Sequence, residues 1–288
     1  MTKIIGVISA RVNSRRCPGK VLRKFAGKSM FSHHVERMRK IDGLDGVYLA
    51  TTSGDENKEL LTEARSLGCD WYLGTDQDLV NSHIQLCEMS GADAVIRVPG
   101  DSPLFDIDSC TIFVKKFRQE YWDYLYVLNM TMLQGTVKEL ISYEALKKIH
   151  PLYKGPAVSL PIMENMSAYK TWGHEIDVNL CRPEYRLTVD YPIDYNLLCH
   201  IYDQLYKGEP LNLHEVYKWL DDNPKMAFCN KDVVVSGVNK HIGSLMDRNL
   251  YSIMERAGKP VLLDERKQII SQDNIKQIII NLFPDIKW

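Results

Sequence analysis

Short, wholly apolar segments alternate along this chain with segments whose apolar residues recur at helical spacing, and that alternation restricts its fold more than any other feature. Lys3-Ile-Ile-Gly-Val-Ile-Ser9 is an apolar run closed at both ends by polar residues, the pattern of a strand buried on both faces. From Ser29 to Ile41, Phe31, Val35, Met38 and Ile41 fall on one helical face, and Gly43 follows as a stop signal. Val47-Tyr-Leu-Ala-Thr51 reads as a second buried strand. Asp55 is placed to cap a helix with Leu60, Leu61, Ala64 and Leu67 on its apolar face, ended by Gly68. Trp71-Tyr-Leu73 is a short strand, Asp78 caps a helix through Ile84 and Cys87 to Gly91, and Ala92 to Val98 is a strand. Farther on the pattern predicts a helix from Asp108 to about Glu120, a strand from Tyr124 to Leu128 and a helix starting near Ser142. A strand from Arg186 to Val189 follows, then a helix with Pro192 in its first turn and Ile193, Leu197, Ile201 and Leu205 inward. A last helix, Leu213 to Asp221, stops before Pro224. Alternating strands and helices are packed most economically as an α/β fold with a doubly wound, mostly parallel sheet.

A chain of 288 residues accommodates one large domain of this kind and a small appendage. Beyond about Cys229 the texture changes to a glycine-punctuated stretch, Ser236 to Gly243, and a final apolar helix carrying Ile275, Ile278, Ile279, Ile280 and Leu282. The expected division is therefore 1–228 and 229–288. The formal net charge is −1, so no global positive field draws in nucleic acid or an anionic membrane, and any anion site must be local. No stretch reaches the length of a membrane span, and the first residues lack the layout of a secretory signal. Seven cysteines are scattered with neither a C-x-x-C pair nor zinc-like spacing, which fits reduced thiols and a cytoplasmic location.

The local anion site has an obvious position. Seven cations, Arg11, Arg15, Arg16, Lys20, Arg23, Lys24 and Lys28, lie within 18 residues, and no acidic residue occurs from Arg11 through Val35. This run leaves the C-terminal edge of the first strand, where open α/β sheets bind ligands, and Pro18-Gly19 forces a turn that exposes backbone N–H groups. Guanidinium forks and a lysine suit polyphosphate; charge alone leaves open a solvated basic loop. Gly27-Lys28-Ser29 is not a Walker A loop, because Leu22 stands where its first glycine belongs, and no G-x-G-x-x-G occurs.

Ser9-Ala-Arg-Val-Asn-Ser-Arg-Arg-Cys-Pro-Gly-Lys-Val-Leu22 resembles the A-R-x-x-S-x-R-x-P-G-K-x-L signature of the cytidylyltransferase family. That family includes the CMP-sugar synthetases and the spore coat polysaccharide biosynthesis protein F group. Val98-Pro-Gly-Asp-Ser-Pro-Leu104 resembles its G-D-x-P-L, and Arg186-Leu-Thr-Val-Asp-Tyr-Pro-Ile-Asp194 its R-L-T-x-D-x-P-x-D, in the same order. The resemblance spans roughly residues 3 to 205 and implies a Rossmann-like three-layer sandwich of the nucleotide-diphospho-sugar transferase type. It also implies transfer of a nucleoside monophosphate, with CTP the expected donor, to a small acidic acceptor, with release of pyrophosphate. Arg11, Arg16, Lys20 and Asp101 are then the expected catalytic set. Ala10, Arg11, Ser14, Arg16, Gly19, Lys20, Thr51 and Asp101 would line the nucleotide pocket, and Asp101 with Asp190 would hold Mg2+. Relatives of this kind are often dimers.

Three positions depart from the family pattern. Ser82 stands where D-V-L-x-R-Y has arginine, Val137 where G-x-D-x-E has aspartate, and Ala157 where H-V-T-P-Y has histidine; Glu139 of the second motif is kept and is expected to face the acceptor. All three lie outside the triphosphate loop, so they point to an altered acceptor pocket. Two D-x-D patterns, Asp76-Gln-Asp78 and Asp106-Ile-Asp108, sit where helices begin and read as caps rather than metal ligands. His33 and His34 read as surface or packing residues, and Trp71, Tyr72 and the aromatics from Tyr121 to Tyr126 as core. Two other functions stay open: a glycosyltransferase, which would consume a nucleotide sugar and release a nucleoside diphosphate, and a non-catalytic family member, which would turn over nothing.

Overall fold

The computed structural model describes residues 2–128, 135, 136, 138–180, 182, 185–231 and 233. The chain divides into two units, Met1–Val234 and Val235–Trp288. The glycine-punctuated stretch and the final apolar helix expected from the sequence lie outside the described residues.

The first unit is built on a seven-stranded sheet in the order β5-β4-β1-β6-β8-β7-β9. β1 (Ile4–Ser9) lies at its centre, parallel to β4 (Val47–Thr52) on one side and to β6 (Ala94–Pro99) on the other. β5 (Asp70–Gly74) extends the sheet parallel to β4. Ile4, Ile5, Val7 and Ile8 are fully buried, as a strand sandwiched between helical layers requires; each such side chain contributes roughly 1.5–3 kcal/mol. The helices α1 (Met30–Met38), α2 (Lys58–Ser66), α3 (Leu79–Ser90) and α4 (Ile107–Gln119) flank these strands. Between β1 and α1 a hairpin of two short strands, β2 (Lys24–Phe25) and β3 (Lys28–Ser29), turns through Ala26 and Gly27, both at positive φ.

Two strands of the seven-stranded sheet escape the apolar pattern, and one expected strand does not form. β8 (Glu139–Ser142) and β9 (Thr171–His174) are too short and too polar to announce themselves. β8 runs antiparallel between β6 and β7 (Tyr124–Val127), and β9 lies parallel to β7 at the sheet's edge. Arg186 to Val189 joins no strand ladder among the described residues. Its Val189 N–H donates instead to Asp101 O at 2.7 Å, which ties this segment across the end of β6.

Caps set most helix starts. Ser29, Asp78, Asp106 and Ser142 accept from backbone N–H groups at the heads of α1, α3, α4 and α5 (Tyr143–Ile149), so both D-x-D patterns do contain caps. Asp55 does not cap α2. It opens a 3-10 turn, Asp55–Asn57, and Asn57 occupies the cap position with its amide already bonded elsewhere. α6 (Leu160–Glu164), α7 (Pro192–Leu205), α8 (Leu213–Asp222) and α9 (Pro224–Ala227) complete the unit. Among the described residues no helix is long and apolar enough to cross a membrane.

His33, His34 and His83 are buried. Burial drives His34 and His83 down to about 4, against the bonds their Nδ1 atoms make to Met30 O and Leu79 O. Both are neutral in the fold and titrate near 6.5 once unfolded, so between those values the unfolded chain binds more protons. Their contribution to stability is complete above the unfolded value and is lost as pH falls toward 4. Urea denaturation is expected to show stability declining below about pH 6.5 by up to about 1.4 kcal/mol per pH unit per histidine, with His34→Gln and His83→Gln each flattening the decline. A stability that does not change across this window would contradict their buried, neutral state.

Candidate active site

In this sheet the chain leaves β1 toward β4 and leaves β6 toward the opposite edge, so a crevice opens between the C-terminal ends of β1 and β6. The loop after β1 brings Arg16 and Lys20 to this crevice. Its first turn is fastened to the scaffold: Val12 N–H donates to Asn57 Oδ1 at 2.9 Å, and the Asn57 amide donates to Thr52 O and Oγ1 at 3.0 Å each. The turn then folds on itself, with Ser14 N and Gly19 N both bonded to Val12 O. Gly19, at φ 69°, opens a 3-10 turn over Lys20–Leu22. Across the crevice Gly100 packs against Ala10 so closely that an added Cβ would stand 2.7 Å from the alanine methyl.

Five of the seven cations separate into groups. Arg23 lies over the Tyr195 ring, and Lys28 bonds Glu36 and the Tyr206 hydroxyl; both brace the hairpin against α7 and α1. Arg11 pairs with Asp76 at the head of the α3 loop. Arg16 and Lys20 reach the acids. Arg16 Nη2 donates to Asp190 Oδ1 at 2.5 Å, and Lys20 Nζ donates to Val189 O at 2.5 Å, standing 3.9 Å from both Asp101 Oδ2 and Asp190 Oδ1. Arg11, Arg16, Lys20, Asp101 and Asp190 therefore come from loops after β1 and β6 and from the segment before α7. Ala10 and Thr51 are buried at the ends of β1 and β4, and the Thr51 hydroxyl has no partner among the described residues. Ser14 is half-buried.

The two acids differ. The Asp101 side chain is 31% exposed and accepts from Ser102 Oγ at 2.9 Å. Burial pushes its carboxyl up, but the Lys20 and Lys138 ammonium groups outweigh that and hold it below the usual carboxylate range. Asp190 is buried. Arg186 Nη2 donates to its Oδ2 at 2.7 Å while Arg16 holds Oδ1. Behind it Asp194, fully buried, accepts from Arg186 Nε at 3.1 Å, from the backbone N–H groups of Asp190 and Tyr191 at 2.9 Å, and from Asn230 Nδ2 at 2.8 Å. Asp194 is the structural acid that fixes the turn, and Asp190 is the one turned to the loop.

Among the described residues no three His, Cys, Asp or Glu side chains group closely enough to hold a metal alone. An ionised Asp101 at a polar rim suits a hard divalent cation that draws its remaining oxygens from phosphate and water, the habit of Mg2+. Asp190 offers the same donor type, with both its oxygens engaged by arginines.

Glu139, expected on the acceptor side, is buried in the sheet opposite Arg97. Its carboxylate accepts from Arg97 Nη1 at 3.0 Å and from the Tyr124 hydroxyl at 2.8 Å, and Arg97 Nη2 donates to Pro156 O at 3.0 Å. Ser82 and Ala157 are buried; Val137 lies outside the described residues. Lys138, which sequence reasoning passes over, is buried with a 3.3 Å bond to Gly135 O, and burial brings its amine down to about 8 despite the pull of Asp101. It adjoins Glu139, so a strand alternation read through this segment would have sent the two side chains to opposite faces. Asn57 and Arg97 also escape sequence reading, because each is defined by a partner far along the chain.

The chain belongs to the cytidylyltransferase family, whose model matches residues 5–215. It is a nucleotidyltransferase. Along its length it is similar to spore coat polysaccharide biosynthesis protein SpsF of Bacillus subtilis, at 25% identity over 235 residues, 79% of this chain and 98% of that one. Over 110 residues it is 36% identical to a 3-deoxy-manno-octulosonate cytidylyltransferase of Syntrophobacter fumaroxidans, covering 35% of this chain and 41% of the relative. The fold matches the structure of a cytidylyltransferase from Leptospira borgpetersenii with a TM-score of 0.72 and 20% identity, covering 82% of this chain and all of that one.

Removing Asp194 leaves the Arg186 charge buried beside one carboxylate instead of two and frees the Asp190 turn. Asp194→Ala is expected to cost about 3–5 kcal/mol in a denaturant titration. A loss below about 1 kcal/mol would show that this network is not what holds the turn.

Proposed function

We propose that this enzyme transfers CMP from CTP to a small acidic acceptor, an acidic sugar, sugar phosphate or phosphonate, and releases pyrophosphate in the making of polysaccharide or glycoconjugate precursors. The observation that carries this reading is the position of Arg16 and Lys20 against Asp101 and Asp190 at the β1/β6 crevice. A triphosphate tail carries enough negative charge to need such a loop. Similarity to a 3-deoxy-manno-octulosonate cytidylyltransferase and to a polysaccharide biosynthesis protein supports the acidic acceptor.

In this reading Arg11, Arg16 and Lys20 neutralise the triphosphate, the Ser14 hydroxyl adds a donor, and Gly19 lets the backbone N–H groups approach the phosphate oxygens. Ala10 and Thr51 shape the floor beneath the nucleotide. Asp101 and Asp190 are the groups that would hold Mg2+, which when bound supplies charge neutralisation across the phosphates. An acceptor oxygen attacks the α-phosphorus in line with the departing pyrophosphate. Charge gathers on the leaving oxygens, so guanidinium and ammonium groups already fixed in place lower the barrier without a dedicated base. On the acceptor side Glu139 would act through Arg97, the guanidinium it holds.

Pyrophosphate release from CTP, measured over a panel of sugar acids, sugar phosphates and phosphonates, tests the reading. Asp101→Asn keeps the side-chain shape and the Ser102 bond, so it is expected to abolish release while moving the Tm by no more than about 2–4 °C. Unchanged release would remove Asp101 from the site, and a collapse of the Tm would make it structural.

A further inference from the structure

We propose, on the strength of the donor-site reading above, that Arg16 is a latch on Asp190: without nucleotide its guanidinium occupies Asp190 Oδ1 and keeps a divalent cation off that carboxylate until a triphosphate draws the arginine away. Asp190 has two oxygens, and each has its own arginine, Arg16 at 2.5 Å and Arg186 at 2.7 Å. Lys20 stands a further 3.9 Å from Oδ1. Three cations around one carboxylate repel a dication, and the Arg16 guanidinium stands on the side of Oδ1 that faces the loop.

The two arginines are not equivalent. Arg186 is buried and also bonded to Asp194, itself fully buried and held by Asn230 and two backbone N–H groups, so it stays. Arg16 belongs to the loop, its side chain is 41% exposed, and besides Asp190 it meets only the face of Tyr191 among the described residues, with its guanidinium carbon 5.3 Å from the ring centroid. A triphosphate offers this fork two or more oxygens and several negative charges in place of one carboxylate oxygen. Transfer of Arg16 to phosphate frees Asp190 Oδ1 at the moment the phosphates arrive. Arg16 is thus a positioning residue before it is a phosphate ligand, and the nucleotide must bind before, or together with, the metal at Asp190. Asp101, whose nearest cation of the loop is 3.9 Å away, carries no such block.

Electron paramagnetic resonance of Mn2+ titrated into the full-length, nucleotide-free protein tests the latch. Arg16→Gln is expected to bind Mn2+ about tenfold or more tightly than the wild type, and Arg16→Gln combined with Asp190→Asn to lose that gain. A folded Arg16→Gln protein, judged by circular dichroism, that binds Mn2+ no more tightly than the wild type would overturn the latch. So would tight Mn2+ binding by the nucleotide-free wild type that Asp190→Asn abolishes, a comparison that needs no Arg16 variant. Equilibrium dialysis with CTP separates the two levels. Wild-type protein that holds CTP but fails the Mn2+ tests removes the latch alone, whereas failure to hold CTP with or without Mg2+ removes the donor-site reading as well.

Discussion

Arg186 is a single guanidinium buried against two carboxylates, Asp190 and Asp194, and the geometry of the crevice rests on that arrangement. Burying one acid without a partner would be prohibitive, and burying two is possible only because arginine, backbone N–H groups and Asn230 together satisfy them. The outcome is a division of labour within one short segment. Asp194 is consumed in holding the turn that starts α7, while Asp190 is fixed with one oxygen toward the cationic loop. Val189, between Thr188 and this turn, gives its carbonyl to Lys20 and its N–H to Asp101 O, so a single residue fastens the loops after β1 and β6 to the segment before α7.

Charge balance accounts for the local design in a chain of near-zero net charge. The loop after β1 is not uniformly dedicated to an anion. Arg23 and Lys28 meet aromatic and carboxylate partners that brace the hairpin, and Arg11, Arg16 and Lys20 pair with acids that, under the proposed function, a polyphosphate would displace. Pairing of this kind keeps a cluster of like charges from repelling itself before a ligand arrives, and it makes binding an exchange of partners.

Much of this was legible in the sequence, and the omissions have physical causes. The four parallel strands β1, β4, β5 and β6 announce themselves by apolar content, and Asp78 and Asp106 cap helices as their position suggests. β8 was hidden because it opens on Glu139, which is buried against Arg97, a partner 42 residues away along the chain. Arg186 to Val189 has a strand's composition, and it fails to become one because its backbone is engaged by Asp101 and Lys20 and not by a neighbouring strand. Asp55 looked like a cap, and the cap position went to Asn57, which clamps the anion loop instead. Within the site, Arg11, Arg16, Lys20, Asp101 and Asp190 could be named from their motifs. That Asp190 is held at both oxygens by arginines could not, because one of those arginines lies 174 residues away along the chain.

Under the proposed function this loop and these acids form a triphosphate site selective for CTP. Titration calorimetry of the full-length protein with CTP, UTP, ATP and GTP in the presence of Mg2+ tests it most directly. Saturable binding of CTP is expected, stronger than that of the other three and strongly weakened by Lys20→Ala. Absence of heat from any of the four, or binding indifferent to the loss of Lys20, would contradict it.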